Sequence, residues 1–545
     1  MEFNVLTNSW IPIEYSNGMI DELGIMECLE KAHQIKSISN SKQYEKIAIL
    51  RLLVAFVSDA YELKRSNDRK ALFDSGRFDM DILQDYVDKS IREHGASFDL
   101  FDGNRPFMSY SFDPEIDNEE TRLSAVYLHI ELPHGNNPIH IVGQKEEDFL
   151  GDTPAQFLRA LLSSYLYPTG NMLKGSNKST GAQCYIKEYD KNNKPKYDSQ
   201  YGSMGINAGP SMAAPEPVFF WPEGGNLFQT IVMCMQSAAE LGNIPLNDPP
   251  APWNTDKKIQ PNKTKRGDPV TKVSFVSALT FQSRRVVPIV DDDGSIKNCY
   301  ITNGYVNPDN ILWHDPFAVQ LKNSKTGELY YLKADETKSM WRNVGNITAS
   351  SHDSNHLMPD VLKPIKKYDN IHYERIVSLG LVPKTQCAGY DSLLFDDSIE
   401  IPSDYLREEN LGSYLTTRME IIESVAQVFD SLNRISQVSD KRKYNLLGND
   451  AKESYWFMMH QYLMDQENNF LSIARDYYYE DDIGFEKKAD TELFLKMKEI
   501  VSKICSKEIS NSNSWNMMRT TVDNVDVCMK GFYNKTKELR KDVSE

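Results

Sequence analysis

Apolar residues recur at helical spacing at Ile47, Leu50, Leu53, Val54 and Val57, which predicts a buried helix with Arg51 inside its apolar stretch. Before it, Phe3, Val5 and Leu6 and then Trp10-Ile11-Pro12-Ile13 read as short extended segments. Residues 98–108 carry a turn at Asp102-Gly103 and a rigid Arg105-Pro106 step. Thr153 is a good N-cap and Pro154 suits the first helical position, so a helix with Phe157, Leu161 and Tyr165 on its apolar stripe is predicted to end near Pro168. A second helix is predicted over 227–235. Residues 168–216 and 243–270 are polar, show little periodicity and read as long loops. Alternation of Val273, Phe275, Leu279 and Phe281 predicts a strand over 273–285. Asp292-Asp293-Gly294 then turns the chain into another around 300–305. Residues 376–382 and 392–401 read as a second strand pair joined by a turn.

From Asp404 onward the period changes. Ile421, Ile422, Val425, Val428, Phe429, Leu432 and Ile435 make one helical stripe. Residues 456–479 make an aromatic second helix. Leu493, Met497, Ile500 and Ile504 make a third, and Met518, Val522, Val525, Met529 and Phe532 a fourth. Four long amphipathic helices in succession are the mark of a four-helix bundle. The expected fold is α+β: a large mixed α/β N-terminal domain with long loops over 1–402, followed by a C-terminal four-helix bundle over 403–545.

Composition narrows the function classes. The 545 residues include 28 Tyr and 23 Phe, too aromatic for a disordered chain. The longest apolar stretch falls far short of a membrane span, no secretory signal is visible, and the seven scattered Cys read as reduced thiols, so a cytoplasmic protein is expected. The net charge of −17 argues against a free-standing nonspecific DNA binder. It is unevenly spread: residues 1–150 carry net −12, residues 151–400 are neutral and residues 401–545 carry −5. Within the neutral part, Lys257, Lys258, Lys263, Lys265, Arg266, Lys272, Arg284 and Arg285 face only Asp256 and Asp268 over 256–285. That run is either a solvated loop or a phosphate-contacting patch on an acidic body.

Motifs for catalysis are missing. His352 and His356 lack the acidic residue of a zinc protease motif, and Asp291–Gly294 would place Ile289 and Tyr300 at calcium-ligand positions, so it reads as a hairpin turn. There is no phosphate-cradling loop, no nucleophile elbow and no partner motif around Cys387, which reads as a small turn residue. No metal, cofactor or catalytic residue is expected.

Several separated segments nevertheless resemble one family. The opening Phe3-Asn4-Val5-Leu6 through Trp10-Ile11-Pro12, the segment Leu100-Phe101-Asp102 followed by Arg105-Pro106-Phe107-Met108, the stretch Phe275-Val276-Ser277-Ala278-Leu279-Thr280-Phe281-Gln282, and Gly380-Leu381 through Gln386 with Ile399-Glu400-Ile401-Pro402 are similar, in order and spacing, to the CasA family. Its members are large subunits of the type I-E CRISPR surveillance complex Cascade.

The resemblance implies a non-catalytic subunit of an RNA-guided antiviral complex. Such a subunit reads a short protospacer-adjacent motif (PAM) in duplex DNA, begins R-loop formation and helps recruit a helicase-nuclease, while guide RNA reads the rest of the target. Implied partners are target double-stranded DNA, the RNA-bearing backbone, small and Cas-five-type subunits, and the helicase-nuclease. Gln386, flanked by Thr385 and Lys384, matches the family's glutamine wedge; Lys258, or alternatively Lys257, matches a minor-groove lysine that follows a Trp. Lys263, Lys265 and Arg266 are then phosphate contacts. Gly151-Asp152 occupies the place of a glycine-containing groove loop, although an acidic residue is unexpected there. A cysteine cluster of some members is reduced here to Cys299, so no zinc is implied. Two other classes stay open from the residues alone: a structural scaffold, and a metal-dependent nuclease with a dispersed site.

Overall fold

The computed structural model describes residues 1–39, 42–111, 122–132, 148–167, 171–172, 186–192, 195–197, 205–206, 218–255, 268–306, 314–323, 325–334, 342, 344–348, 356–367, 375–383, 390–399, 401–434, 441–463, 465, 469–480, 484–510 and 515–540. The chain divides into two compact units. One comprises Met1–Glu336, Pro359–Pro364 and Asn370–Asp396; the other comprises Thr337–Met358, Ile365–Asp369 and Asp397–Glu545.

The first unit is built around the helix Gln43–Tyr61, in which every residue from Tyr44 to Asp59 is buried. A helix enclosed on all sides must be apolar on all sides or must find a partner for each charge it carries. Here the charges are partnered. Arg51 makes a bidentate pair with Asp315, at 2.9 and 2.8 Å, and Asp315 is fully buried. The guanidinium also lies over the rings of Phe219 and Phe317, 5.2 and 5.1 Å from their centroids. Lys46 pairs with Glu223 at 2.5 Å, Glu45 with Arg159 at 3.3 Å, and Asp59 accepts from Tyr86 and Asn247. The helix closes at Glu62, in the left-handed conformation with φ 43°.

Short elements from distant parts of the sequence cover this helix. The strand Ile11–Tyr15 lies between Ile20–Leu23 and Ile35–Ile38 in an antiparallel sheet. The opening segment and the 98–108 segment are held together by backbone bonds, Val5 N to Phe98 O at 2.8 Å and Leu100 N to Phe3 O at 2.9 Å. The helix Pro154–Leu166 begins with Thr153 and Gln156 in a capping box, and Phe157, Leu161 and Tyr165 are buried, as their spacing predicts. The helix Leu227–Cys234 also matches its prediction.

The expected strand over 273–285 is corrected. Ser274 caps a one-turn helix, Phe275–Leu279, through Ser277 N at 3.0 Å, and the strand starts only at Arg284. Phe275, Val276, Ala278 and Leu279 are all buried, so the apparent alternation did not report an exposed face. The strand Arg284–Ile289 pairs with Asn298–Asn303, and Asp291–Gly294 forms the intervening turn, with Gly294 N bonded to Asp291 O at 2.9 Å. The strand Arg375–Pro383 pairs with Phe219–Glu223 in register from Arg375↔Glu223 to Leu379↔Phe219, and Tyr390–Ile399 flanks it on the other side.

The second unit is helical after residue 403. Its longer helices are Glu409–Ala426, Lys441–Leu463, Phe470–Glu480, Phe485–Ser510 and Trp515–Lys535. Two expectations are corrected here. The first stripe spans Glu409–Ala426 and a following 3-10 turn, Gln427–Arg434. The aromatic helix expected over 456–479 is two helices, because Asn469 takes up the backbone: its Oδ1 accepts from Ser472 N at 2.7 Å and starts Phe470–Glu480. Leu493, Met497, Ile500 and Ile504 are buried as predicted, whereas in the last helix Val525, Cys528 and Phe532 point inward and Val522 is exposed. Arg418 binds Asp490 through Nε at 2.8 Å and Nη2 at 2.6 Å, and Tyr414 OH donates to the same carboxylate at 2.8 Å. Arg342 pairs with Glu423 and stacks 3.7 Å from the centre of the Trp456 ring. Among the described residues, no helix is long and apolar enough to cross a membrane.

Removing one side of the Arg51–Asp315 pair strands a buried charge, so Asp315→Ala is expected to cost about 3–5 kcal/mol. The double change Arg51→Met with Asp315→Leu should cost clearly less than either charge-stranding single change. Denaturant unfolding of Asp315→Ala, Arg51→Met and the double variant, followed by Trp fluorescence, checks this.

Candidate nucleic-acid interface

The candidate residues fall on three segments, and the structure roots each of them. The lysine-bearing segment follows Thr255. Just before it, Trp253 sits in the turn Pro252–Asn254, is 2% exposed, stacks on Phe107 and donates its indole N–H to Tyr86 OH at 2.8 Å. Tyr86 OH in turn donates to Asp59 of the central helix at 2.6 Å. Lys257, Lys258, Lys263, Lys265 and Arg266 themselves lie outside the described residues.

On the far side of that segment, Asp268 pairs with Arg285 and bonds through its N–H to Gly304 O at 3.0 Å. Gly304 is required at that point: a Cβ would stand 2.2 Å from Gln282 O. Arg285 is packed against the rings of Tyr110 and Tyr305. The basic run seen in the sequence therefore divides. Arg284 and Arg285 are 4% and 5% exposed and belong to the scaffold, so their charges do not form part of a surface patch.

Gly151 and Asp152 are described in full. Gly151 has φ +102°, and a Cβ there would meet Lys297 Cγ at 2.8 Å, so glycine is needed for both its conformation and the close approach of the hairpin turn. Asp152 forms a two-way backbone bridge with Ile296, at 3.0 and 2.9 Å. Its carboxylate does not face solvent: Asp152 is 4% exposed and accepts from His129 Nε2 at 2.9 Å. The Asp152 side chain is therefore an internal partner of His129, turned away from the surface of its segment.

His129 was not singled out by the sequence, since its partner lies 23 residues away and no periodicity links them. Its other ring nitrogen stands 3.5 Å from Glu131, which binds Lys42 at 2.6 Å. Lys42 also approaches Glu45 at 3.5 Å. Glu45 meets Arg159, which reaches Glu22 at 3.0 Å and Trp10 O at 2.8 Å. Burial alone would lower the His129 pKa; the hydrogen bonds and charges of Asp152 and Glu131 outweigh it and raise the pKa to about 9. The imidazolium and Lys42 likewise hold Glu131 well below the usual carboxylate range against its burial.

The third segment is the connection between the strands Arg375–Pro383 and Tyr390–Ile399. Lys384, Thr385 and Gln386 fall in it and lie outside the described residues, as does Cys387. Its base is fixed where Arg375 binds Glu223 at 2.7 Å and where Gly380 packs against Ala334 and Val218.

Two of the three segments thus share one hairpin. Asp152 pairs beside its turn at Ile296, and Asp268 pairs with Arg285 at its far end. At the rise of an extended chain, those points are roughly 20 Å apart, less than one turn of duplex DNA. Among the described residues, no group of three or more His, Cys, Asp or Glu side chains is arranged to hold a metal ion.

Residues 4–465 match the family described as CRISPR-associated protein Cse1. A CasA/Cse1 protein of Thermus thermophilus is 26% identical over 342 residues, which is 63% of this chain; the match spans 59% of that relative's own length. In fold, the chain is similar to the crystal structure of Cse1 from Acidimicrobium ferrooxidans, with a TM-score of 0.72 at 15% identity over 99% of both chains. It is also similar to a chain of a CRISPR RNA-guided surveillance complex, with a TM-score of 0.64 at 14% identity over 97% of this chain and 99% of that one.

The raised pKa of His129 sets a pH window. A group whose pKa is higher folded than unfolded stabilises fully below its unfolded value, near 6.5, and that contribution disappears as pH rises through about 9. The stability difference between the native protein and His129→Gln is therefore expected to be largest near pH 6 and to shrink steadily to pH 9.5. Thermal melts of both proteins across that range check the slope.

Proposed function

We propose, from the premise that the chain belongs to the CRISPR-associated protein Cse1 family of Cascade large subunits, that it reads a short motif in duplex DNA and begins to open the strands there, without chemistry of its own. The observation that carries this reading is the hairpin Arg284–Asn303: it pairs with Asp152 beside its turn and with Asp268 at its base, and so serves both the glycine segment and the lysine segment. Lys258, or Lys257 in its place, reaches into the minor groove, where an ammonium suits the N3 and O2 acceptors. Lys263, Lys265 and Arg266 hold phosphates. Gly151 lets backbone come close to the groove.

Gln386, between Lys384 and Thr385 and the far strand, wedges the first base pair beside the motif and so lowers the cost of unstacking, a few kcal/mol per step. Guide RNA carried by the backbone, small and Cas-five-type subunits reads the remaining target, and a helicase-nuclease recruited to the complex cuts it. An acidic body with a few basic segments suits such a division of labour, because the rest of the surface repels DNA bound in wrong orientations. We read residues 403–545 as a helical bundle domain that docks partner subunits. The setting is the cytoplasm.

Three measurements test this, the first two on the assembled complex. Lys258→Ala should weaken targets bearing the motif more than those lacking it, whereas Lys263→Ala or Lys265→Ala should weaken both and flatten the salt dependence by about one unit each. Gln386→Ala should slow strand opening on intact duplex and matter far less on a target already mismatched beside the motif. The purified chain with divalent metals should cleave neither DNA nor RNA; cleavage abolished by a single carboxylate change would establish the nuclease reading instead.

A further inference from the structure

Leu150 is 83% exposed, more than any other large apolar side chain among the described residues. Single exposed leucines are ordinary on protein surfaces, but this one stands on backbone pinned from both sides. Before it, the ring of Phe149 packs edge-on against His129, with centroids 5.6 Å apart. After it, Gly151 is held at φ +102° against Lys297 and Ser295, and Asp152 is fixed through Ile296 and again through His129. One buried histidine thus clamps both flanks, and the chain between them projects an apolar side chain into solvent. The carboxylate of Asp152, which would repel phosphate, is turned inward onto that same imidazole.

We propose that Leu150 is an apolar minor-groove contact that packs on sugar edges and base edges beside the Gly151 backbone. The assignment rests on the reading that this segment faces duplex DNA. Side chains of this kind, Leu and Ile among them, are used where a protein widens or kinks a duplex through its minor groove, because they fill the opened step without needing a hydrogen-bond partner. Rigid presentation matters: a contact whose backbone is already ordered adds its full burial to binding.

An apolar contact displaces no condensed counterions, which separates it from the lysines. Binding of the assembled complex to target duplex, measured by fluorescence anisotropy at four salt concentrations, should fall about tenfold for Leu150→Ala, with an unchanged slope of log affinity against log salt. Leu150→Met should retain most of the affinity and Leu150→Asp should lose more than Leu150→Ala. Unchanged affinity in Leu150→Ala would overturn the proposal, as would a changed salt slope. Failure of that variant to join the other subunits would also overturn it, and would assign the leucine to a protein interface. Lys258→Ala and Gln386→Ala run alongside: if they weaken binding or opening and Leu150→Ala does neither, only this inference fails. If all three are silent, the reading of the DNA face fails with it.

Discussion

The first unit is organised by the problem of burying charge. A nineteen-residue helix runs through its centre with Glu45, Lys46, Arg51 and Asp59 enclosed, and each of these must be neutralised where it lies. Arg51 sets the strictest condition. Its fork accepts a carboxylate only in one plane and orientation, so Asp315, 264 residues away, has to arrive at that point. Phe219 and Phe317 close over the guanidinium, which places the strand Phe219–Glu223 against the helix. Glu223 at the end of that strand answers Lys46 and also binds Arg375, so the same constraint passes on to the strand that leads to Gln386.

The remaining charges lead outward to the other candidate segments. Asp59 holds Tyr86, Tyr86 holds Trp253, and two residues later the lysine-bearing segment begins. Glu45 connects through Lys42 to Glu131, His129 and Asp152, beside the glycine at the other end of the hairpin. The candidate DNA-facing segments are therefore extensions of the partners that satisfy one buried helix. Under the proposed function, this arrangement suits a reader with few contacts of its own, because rigid roots reduce the entropy lost when they engage.

The helical unit solves a milder version of the same problem. Arg418 and Tyr414 share Asp490, and Arg342 is held between Glu423 and the face of Trp456. These pairs lie at the margin of the packed faces, where they fix the register of helices whose apolar stripes alone would tolerate sliding.

Much of the local structure was legible in the chain. The buried helix, the capped helix after Thr153, the turn at Asp291–Gly294, the paired strands around Gln386 and the change to long helices after residue 403 all follow from periodicity and cap chemistry, which act over a few residues. Errors came where burial removed the pattern, as at Phe275–Leu279, or where one side chain broke a helix, as at Asn469. The family resemblance, carried by short motifs in a fixed order, is what singled out Gly151 and the lysine and glutamine segments as candidates. Composition could not tell which charges belong to a surface. Arg284, Arg285 and Asp152 looked like members of a basic patch and an ill-placed acid, and only the tertiary structure buried Arg284, turned Arg285 to Asp268 and Tyr110, and turned Asp152 to His129. The physical reason is range: propensity and periodicity are written in neighbouring residues, whereas the partner of a buried charge is chosen by whichever distant segment the fold brings within hydrogen-bond reach.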